Sequence, residues 1–318
     1  MGSKQGWNPR NFSIIISLIY IFLGCCTPSF AQETLPFPNS QFADISGLRI
    51  HYRQWKTENE SKGHILLIHG FCGSTISWRN NVLPLLQAGW NLLAVDMPPY
   101  GYSDRAALIN HSPSLQADLL WALTDQLSPG KDTWHLIGHS LGGAVAGAMA
   151  ARRPSQSSSV IIIDGIMRHV GSGAKPVYRH ILGSRLAKFL AEVAAVFHFF
   201  RPATVKNILG KAYGRRPTTE EVHAYLEPLK MPRTASGIFD MAAYASATFE
   251  YAEVDVHCPV LIIWGENDPW LPLLAGQKMH NLLPQSILHI IPTAAHCPME
   301  THADACHQLM LPFLEHPH

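Results

Sequence analysis

Charge is what this sequence has little of. Only 15% of its residues are Asp, Glu, Lys or Arg, and the formal net charge is +1. That balance offers no basic footprint, so no nucleic-acid partner is expected. No internal repeat of roughly 20–50 residues is visible, which removes solenoids and propellers. No long low-complexity tract occurs, so no extended disordered arm is expected. Histidines crowd the C-terminus at His302, His307, His316 and His318, but their spacing matches no zinc pattern. Neither a metal nor a cofactor is expected. The N-terminal apolar run, Ile14 to Leu23, is short for a transmembrane span.

Apolar residues, by contrast, make up 47% of the 318-residue chain, enough for one large α/β domain with an inserted subdomain. Lys4 and Arg10 precede the N-terminal apolar run, and Ser29-Phe30-Ala31 follows it. A basic start, a short apolar core and a small-x-small end read as a secretory signal over residues 1–31. An uncleaved anchor and lipid attachment at Cys25 or Cys26 are the alternatives, and export is common to all three. The expected location is therefore periplasmic or secreted, with membrane attachment through this segment as the variant. Cys72, Cys258, Cys297 and Cys306 remain after cleavage. In an oxidising compartment four cysteines allow two disulfides in three pairings, or free thiols. Cys72 and Cys297 directly follow candidate site segments, which makes them a possible bridge.

Strands and helices alternate along the chain. Phe42 to Trp55 reads as a hairpin turning at Ser46-Gly47. His64–Ile68, Asn91–Val95, Thr133–Gly138, Ser158–Ile163, Pro259–Trp264 and Ser286–Ile291 are short apolar runs, as expected of strands buried on both faces. Helices are expected over Ser77–Ala88, Ser114–Leu127, the stretch after Ser140, and about Thr301–Leu314. This predicts a mostly parallel sheet with helices on both faces. The alternation stops at Gly165. Residues 165–250 read as a helical insertion with helices at Ile181–Phe200 and Thr218–Leu229, broken at Arg201-Pro202 and at Gly210 and Gly214. The core is expected as 32–164 and 251–318. Between Gly165 and Ala245, twelve Lys or Arg stand against five Asp or Glu. A lid, a membrane-touching surface and a solvated subdomain are the readings of that basic, apolar segment.

Three reactive residues fall just past strands. Ser140 lies in Gly138-His139-Ser140-Leu141-Gly142, between a strand and a small-residue helix. A serine on so sharp a turn tolerates only tiny neighbours two residues away, and the strain lifts its hydroxyl above the sheet. Asp268 follows a later strand within Gly265-Glu266-Asn267-Asp268, and His296 follows the last. Strand C-terminal ends are where open parallel sheets build sites. A serine hydroxyl is a poor nucleophile at neutral pH, so His296 must take its proton, while Asp268 orients and stabilises the ring. Asp164 also ends a strand and is the alternative acid. Asp96, His69 and His139 read as structural.

Together with His69-Gly70-Phe71, these segments make the chain resemble the α/β-hydrolase superfamily from about residue 42 onward, with the insertion where that family carries a helical cap. The resemblance implies Ser140 as nucleophile, Asp268 as acid and His296 as base. It implies an oxyanion hole from the backbone N–H groups of Phe71 and Leu141. The capped relatives brought to mind are C–C hydrolases, cofactor-free haloperoxidases and esterases. Relatives that open epoxides or remove halide place an aspartate at the elbow, where Ser140 stands here. Ester cleavage of a small or medium apolar substrate is then the leading expectation. C–C or lactone cleavage, a lipase at a lipid surface, and a catalytically silent binding protein are the alternatives. Trp78, Tyr102 and Trp270 are expected to line the substrate pocket, with Tyr100 beside them. Oligomeric state is left open.

Overall fold

The computed structural model describes residues 35–58, 60–105, 111–130, 132–167, 200–238 and 256–317. Two compact units are present, Met1–Pro38 and Asn39–His318. The sheet, its helices and the site all belong to the second. The expected signal segment, residues 1–31, and all but the last residue of the helix expected at Ile181–Phe200 lie outside the described residues.

Eight strands form one sheet: β1 (Ser40–Ile45), β2 (Leu48–Trp55), β3 (His64–Ile68), β4 (Asn91–Val95), β5 (Trp134–His139), β6 (Ser157–Ile163), β7 (Val260–Gly265) and β8 (Ser286–Ile291). Their spatial order is β1-β2-β4-β3-β5-β6-β7-β8. Only β1–β2 and β2–β4 pair antiparallel; every other pair is parallel. This is the expected mostly parallel architecture. The chain leaves β3 for β4 on one side and then crosses to β5 on the other, so the sheet order reverses between β3 and β5. Such a switch point opens a crevice at the strand C-termini.

The strands are continuous apolar runs because both faces are covered. Leu66 and Ile68 of β3 join one core cluster, while Ile65 and Leu67 join the other. Val160 and Ile162 of β6 alternate with Ile161 and Ile163 in the same way. The period of two along a strand sends successive side chains to opposite faces.

Helices α1 (Val82–Gln87), α2 (Pro113–Leu127), α3 (Leu141–Arg152), α4 (Pro202–Tyr213), α5 (Thr219–Leu229), α6 (Leu273–Leu282), α7 (Pro298–Thr301) and α8 (Ala303–Glu315) complete the described chain. The helix expected over Ser77–Ala88 divides into a 3-10 turn at Thr75–Trp78 and α1. The last expected helix likewise divides into α7 and α8 at His302. A larger correction concerns Arg201-Pro202 and Gly210, expected as breaks. Pro202 instead opens α4, where a missing N–H is harmless, and Gly210 lies within it. Gly214 caps α4 in the left-handed region at φ 63°. A capping box at Thr218 and Glu221 starts α5. Val205, Val222 and Leu226 pack α4 against α5. Leu209, Ala212 and Tyr213 of α4 join the core cluster on that face of the sheet.

Candidate active site

The turn after β5 is forced by packing. A Cβ on Gly138 would fall 2.2 Å from the Gly142 carbonyl oxygen, and one on Gly142 would fall 2.2 Å from the Ile68 carbonyl oxygen. No side chain fits either place. Between them Ser140 takes φ 51° and ψ −116°, a conformation that L residues adopt only under constraint. Its N–H donates to the Ile163 carbonyl of β6 at 2.9 Å. Helix α3 starts at the next residue and points its positive end at the turn.

The three candidate residues meet here. His296 Nδ1–H donates to Asp268 Oδ2 at 2.6 Å, and His296 Nε2 lies 3.1 Å from Ser140 Oγ. The carboxylate only accepts, so it fixes the proton on Nδ1 and leaves Nε2 free to accept from the serine. Asp268 Oδ1 accepts N–H bonds from Trp270 at 2.8 Å and Leu271 at 3.0 Å. Burial pushes the Asp268 carboxyl up, but His296 and these backbone N–H groups outweigh it and hold it below its usual range. The arrangement can carry a proton from Ser140 to His296.

Asp164, the alternative acid, is present but differently engaged. One carboxylate oxygen accepts from Gly265 N–H at 2.8 Å, and the other is buried with no hydrogen bond. Donor atoms of Asp164, Asp268 and His296 lie within 4.8 Å of one another. Burial first, then the nearby Asp268 charge, holds the Asp164 carboxyl well above its usual range. The trio is no ready cation site, because both ring nitrogens of His296 already face protein partners.

The residues read as structural behave so. Asp96 is fully buried and accepts from Thr75 N–H at 2.6 Å, Tyr102 N–H at 2.8 Å and His51 Nδ1 at 2.7 Å. His69 donates from Nδ1 to the Gly70 carbonyl at 2.7 Å and accepts from Met97 N–H at 2.9 Å. His139 donates from Nε2 to the His296 carbonyl at 2.7 Å, tying the His296 backbone to the end of β5. Burial, then the neighbouring His296, pushes His139 down to about 3.

A cavity of about 480 Å³ opens over Ser140 and His296. Phe71 and Trp270 line it, with Phe200, Val205, Leu209 and Leu229 from the helical insertion. The Trp270 ring stands edge-on to His296, with centroids 4.8 Å apart. Two expected lining residues are elsewhere. Trp78 is completely buried in the hydrophobic core, because its 3-10 turn faces inward. Tyr102 belongs to the loop held by Asp96 and packs edge-on against His51. Tyr100 is likewise buried, against Phe71 and His69. Phe71 and Leu141 follow the ends of neighbouring strands β3 and β5. The Gly70 backbone lies so near Ser140 that a Cβ there would stand 3.0 Å from Ser140 Cβ.

The possible Cys72–Cys297 bridge is not formed; Cys72, Cys258, Cys297 and Cys306 are all free. Both Cys72 and Cys297 line the cavity. Burial pushes the Cys72 thiol up to about 12 and Cys297 well up, so neither is a ready thiolate.

Sequence reasoning missed one buried network. Glu300 accepts from Arg79, from Tyr213 at 2.5 Å and from Tyr225 at 2.5 Å. Arg79 also reaches Glu221 at 3.4 Å. Tyr213 and Tyr225 come from α4 and α5, so one carboxylate fastens both helices to the core. The Glu300 partners lie 221, 87 and 75 residues away in sequence, and no local pattern announces them.

A sharp strained serine turn at a switch point, with a histidine and an acid from later strands, is this family's arrangement. The family model for the alpha/beta hydrolase fold matches residues 63–303. The chain belongs to the α/β-hydrolase family. An uncharacterized hydrolase of Bacillus subtilis, YugF, is 23% identical over 79% of this chain and 89% of its own. A 2-hydroxy-6-oxononadienedioate/2-hydroxy-6-oxononatrienedioate hydrolase of Pseudomonas putida is 26% identical over 90% of this chain and 98% of its own. Among solved structures, a meta-cleavage product hydrolase of Pseudomonas fluorescens superposes with TM-score 0.70 at 18% identity, covering 87% of this chain and 98% of that one. At that identity the likeness concerns the fold alone.

Proposed function

We propose that this α/β-fold hydrolase cleaves a small or medium apolar ester through an acyl-enzyme on Ser140. His296 removes the Ser140 proton as the hydroxyl attacks the carbonyl. Asp268 holds the ring and stabilises the imidazolium. The N–H groups of Phe71 and Leu141 receive the developing oxyanion. His296 then returns the proton to the leaving alcohol, and water attacks the acyl group by the same route.

The observation that carries the substrate class is the cavity wall. Among the described residues it contains no Lys, Arg, Asp or Glu. His139, the other histidine among the described wall residues besides His296, is pushed down to about 3 and adds no positive charge. A neutral apolar acyl group is buried there without a desolvated, unpaired charge.

The Pseudomonas putida relative supports a second reading, C–C bond cleavage on the same three residues. Its named substrate is a dioate, which carries two carboxylates. Such a substrate gains no cationic partner from the described wall, so ester cleavage stands first. The deciding experiment measures p-nitrophenyl esters from acetyl to palmitoyl, with Ser140→Ala alongside. A short- or medium-chain peak abolished in the variant supports the ester reading. Turnover of a vinylogous diketo acid with no ester activity moves the assignment to C–C cleavage.

Export is proposed from the N-terminal sequence alone. Among the described residues no helix is long and apolar enough to cross a membrane. N-terminal sequencing of the mature protein tests it, and a start near Gln32 is expected.

A further inference from the structure

Two hydroxyls interrupt the apolar part of the cavity wall. Ser77, from the 3-10 turn after β3, and Tyr225, from α5, both line it. Their oxygens are 3.0 Å apart. Taken alone, either could donate to the other. The neighbours of Tyr225 remove that freedom.

The Tyr225 phenol oxygen also lies 2.5 Å from Glu300 Oε1. Glu300 is 4% exposed and ion-paired to Arg79, so it is a buried carboxylate that can only accept. Burial, then the Glu300 charge, holds the phenol well above its usual range, so it keeps its proton. That single proton is committed to Glu300. Tyr225 can then only accept from Ser77, and Ser77 commits its own single proton to Tyr225. Ser77 is itself 1% exposed, and what it still has for the cavity it lines is lone pairs. A hydroxyl donating into a chain that ends on a carboxylate is also a stronger acceptor than an isolated one.

We infer that Ser77 is an acceptor-only point in the substrate cavity, and that the substrate carries a hydroxyl or N–H group that donates to it. This rests on the cavity being the acyl site and narrows the substrate class within that reading. The preferred substrate is apolar along most of its length, with one hydrogen-bond donor placed where it reaches Ser77. A methyl group there leaves the Ser77 lone pairs without a partner. An ether oxygen there sets lone pair against lone pair. Sites built around a hydrogen bond discriminate strongly against analogues that lack it.

The test compares p-nitrophenyl esters whose acyl chains end in hydroxyl or methoxy, over about six to twelve carbons, a span suited to a pocket of this class. At the length that reaches Ser77, wild type should prefer the hydroxyl ester by about tenfold in kcat/KM, as one good hydrogen bond allows. In Ser77→Ala the ratio should fall to near one. Tyr225→Phe gives the sharper signature. It frees the Ser77 proton, so the ratio should fall because the methoxy ester improves, not because the hydroxyl ester worsens. A merely structural role for Tyr225 would slow both alike. The same end groups on alkyl methyl ketones are titrated by calorimetry into Ser140→Ala protein, with and without Ser77→Ala. A hydroxyl preference in binding without ester turnover would retire the ester reading and keep this one. No preference at any length, in turnover or binding, would overturn it.

Discussion

The turn at Ser140 and the helical pair above it are held in opposite ways. The turn is specified by residues within two positions of the serine, although the wall that Gly142 must clear is the Ile68 carbonyl of β3. Gly138 and Gly142 leave the backbone one path, and β5 and α3 extend from it directly. The pair α4–α5 is fixed by partners scattered over the chain, meeting at one buried carboxylate, Glu300. Local steric necessity writes a recognisable word into the sequence. Long-range electrostatic necessity leaves isolated letters.

Four substitutions probe that contrast. The largest effect is expected at the turn's own partners. Asp268→Asn keeps the shape but forfeits the anion that fixes the His296 tautomer, and kcat should fall by about 10³–10⁴-fold. Steady-state kinetics on the best ester, with circular dichroism to confirm folding, checks this. A loss below about tenfold would instead assign the acid to Asp164, within 4.8 Å of the same ring.

Glu300→Ala attacks the helical pair. It strands Arg79, Tyr213 and Tyr225 around an empty centre, and breaking such a buried pair typically costs about 3–5 kcal/mol. Urea unfolding should show the loss, and limited proteolysis should cut first between α4 and α5. If cleavage instead falls in the sheet connections, the carboxylate is not the main fastening.

Gly214→Ala asks whether the helical pair has any local determinant. An alanine there must hold φ 63°, and its Cβ would come 3.1 Å from Ala295 Cβ. The expected cost is about 1–2 kcal/mol, again by urea unfolding.

Asp164→Asn comes last because it acts on stability and not on the proposed chemistry, and its size depends on pH. The native Asp164 carboxyl is held well above its unfolded value. The native state therefore binds a proton that the unfolded state releases, and stability falls as pH rises above the unfolded pKa, near 3.9. The amide removes this dependence. The variant should gain on wild type in melting temperature from pH 5 to pH 8 and lose that advantage near pH 3.5. Melting curves across this range that stay parallel would mean Asp164 is ionised in the native state.

The sheet was legible because β3, β5, β6 and β7 are apolar on both faces and short, a pattern helices seldom share. Ser140, Asp268 and His296 were legible because each sits just past a strand. Pocket residues were legible only in part: Trp270 lines the cavity, while Trp78 and Tyr102 do not. Trp78 and Trp270 look alike in sequence, yet one turns into the core and the other flanks His296. Exposure of an aromatic on a loop depends on which way a 3-10 turn or Asx-type bend carries it, and that is set by packing. Pro202 misled for a related reason: the same ring that breaks a helix interior starts one at its first position.

The double-sided burial of β3, β5, β6 and β7 also bears on how this enzyme can vary. Nearly every position in those strands is enclosed by neighbours, so a polar replacement there is expected to be lost from any library selected for folding. Val205, Ile208, Leu209 and Leu229 touch the cavity from helices outside the sheet. Adaptation to a new substrate is thereby channelled into a small set of replaceable side chains, while the platform of the Ser140 turn is inherited unchanged.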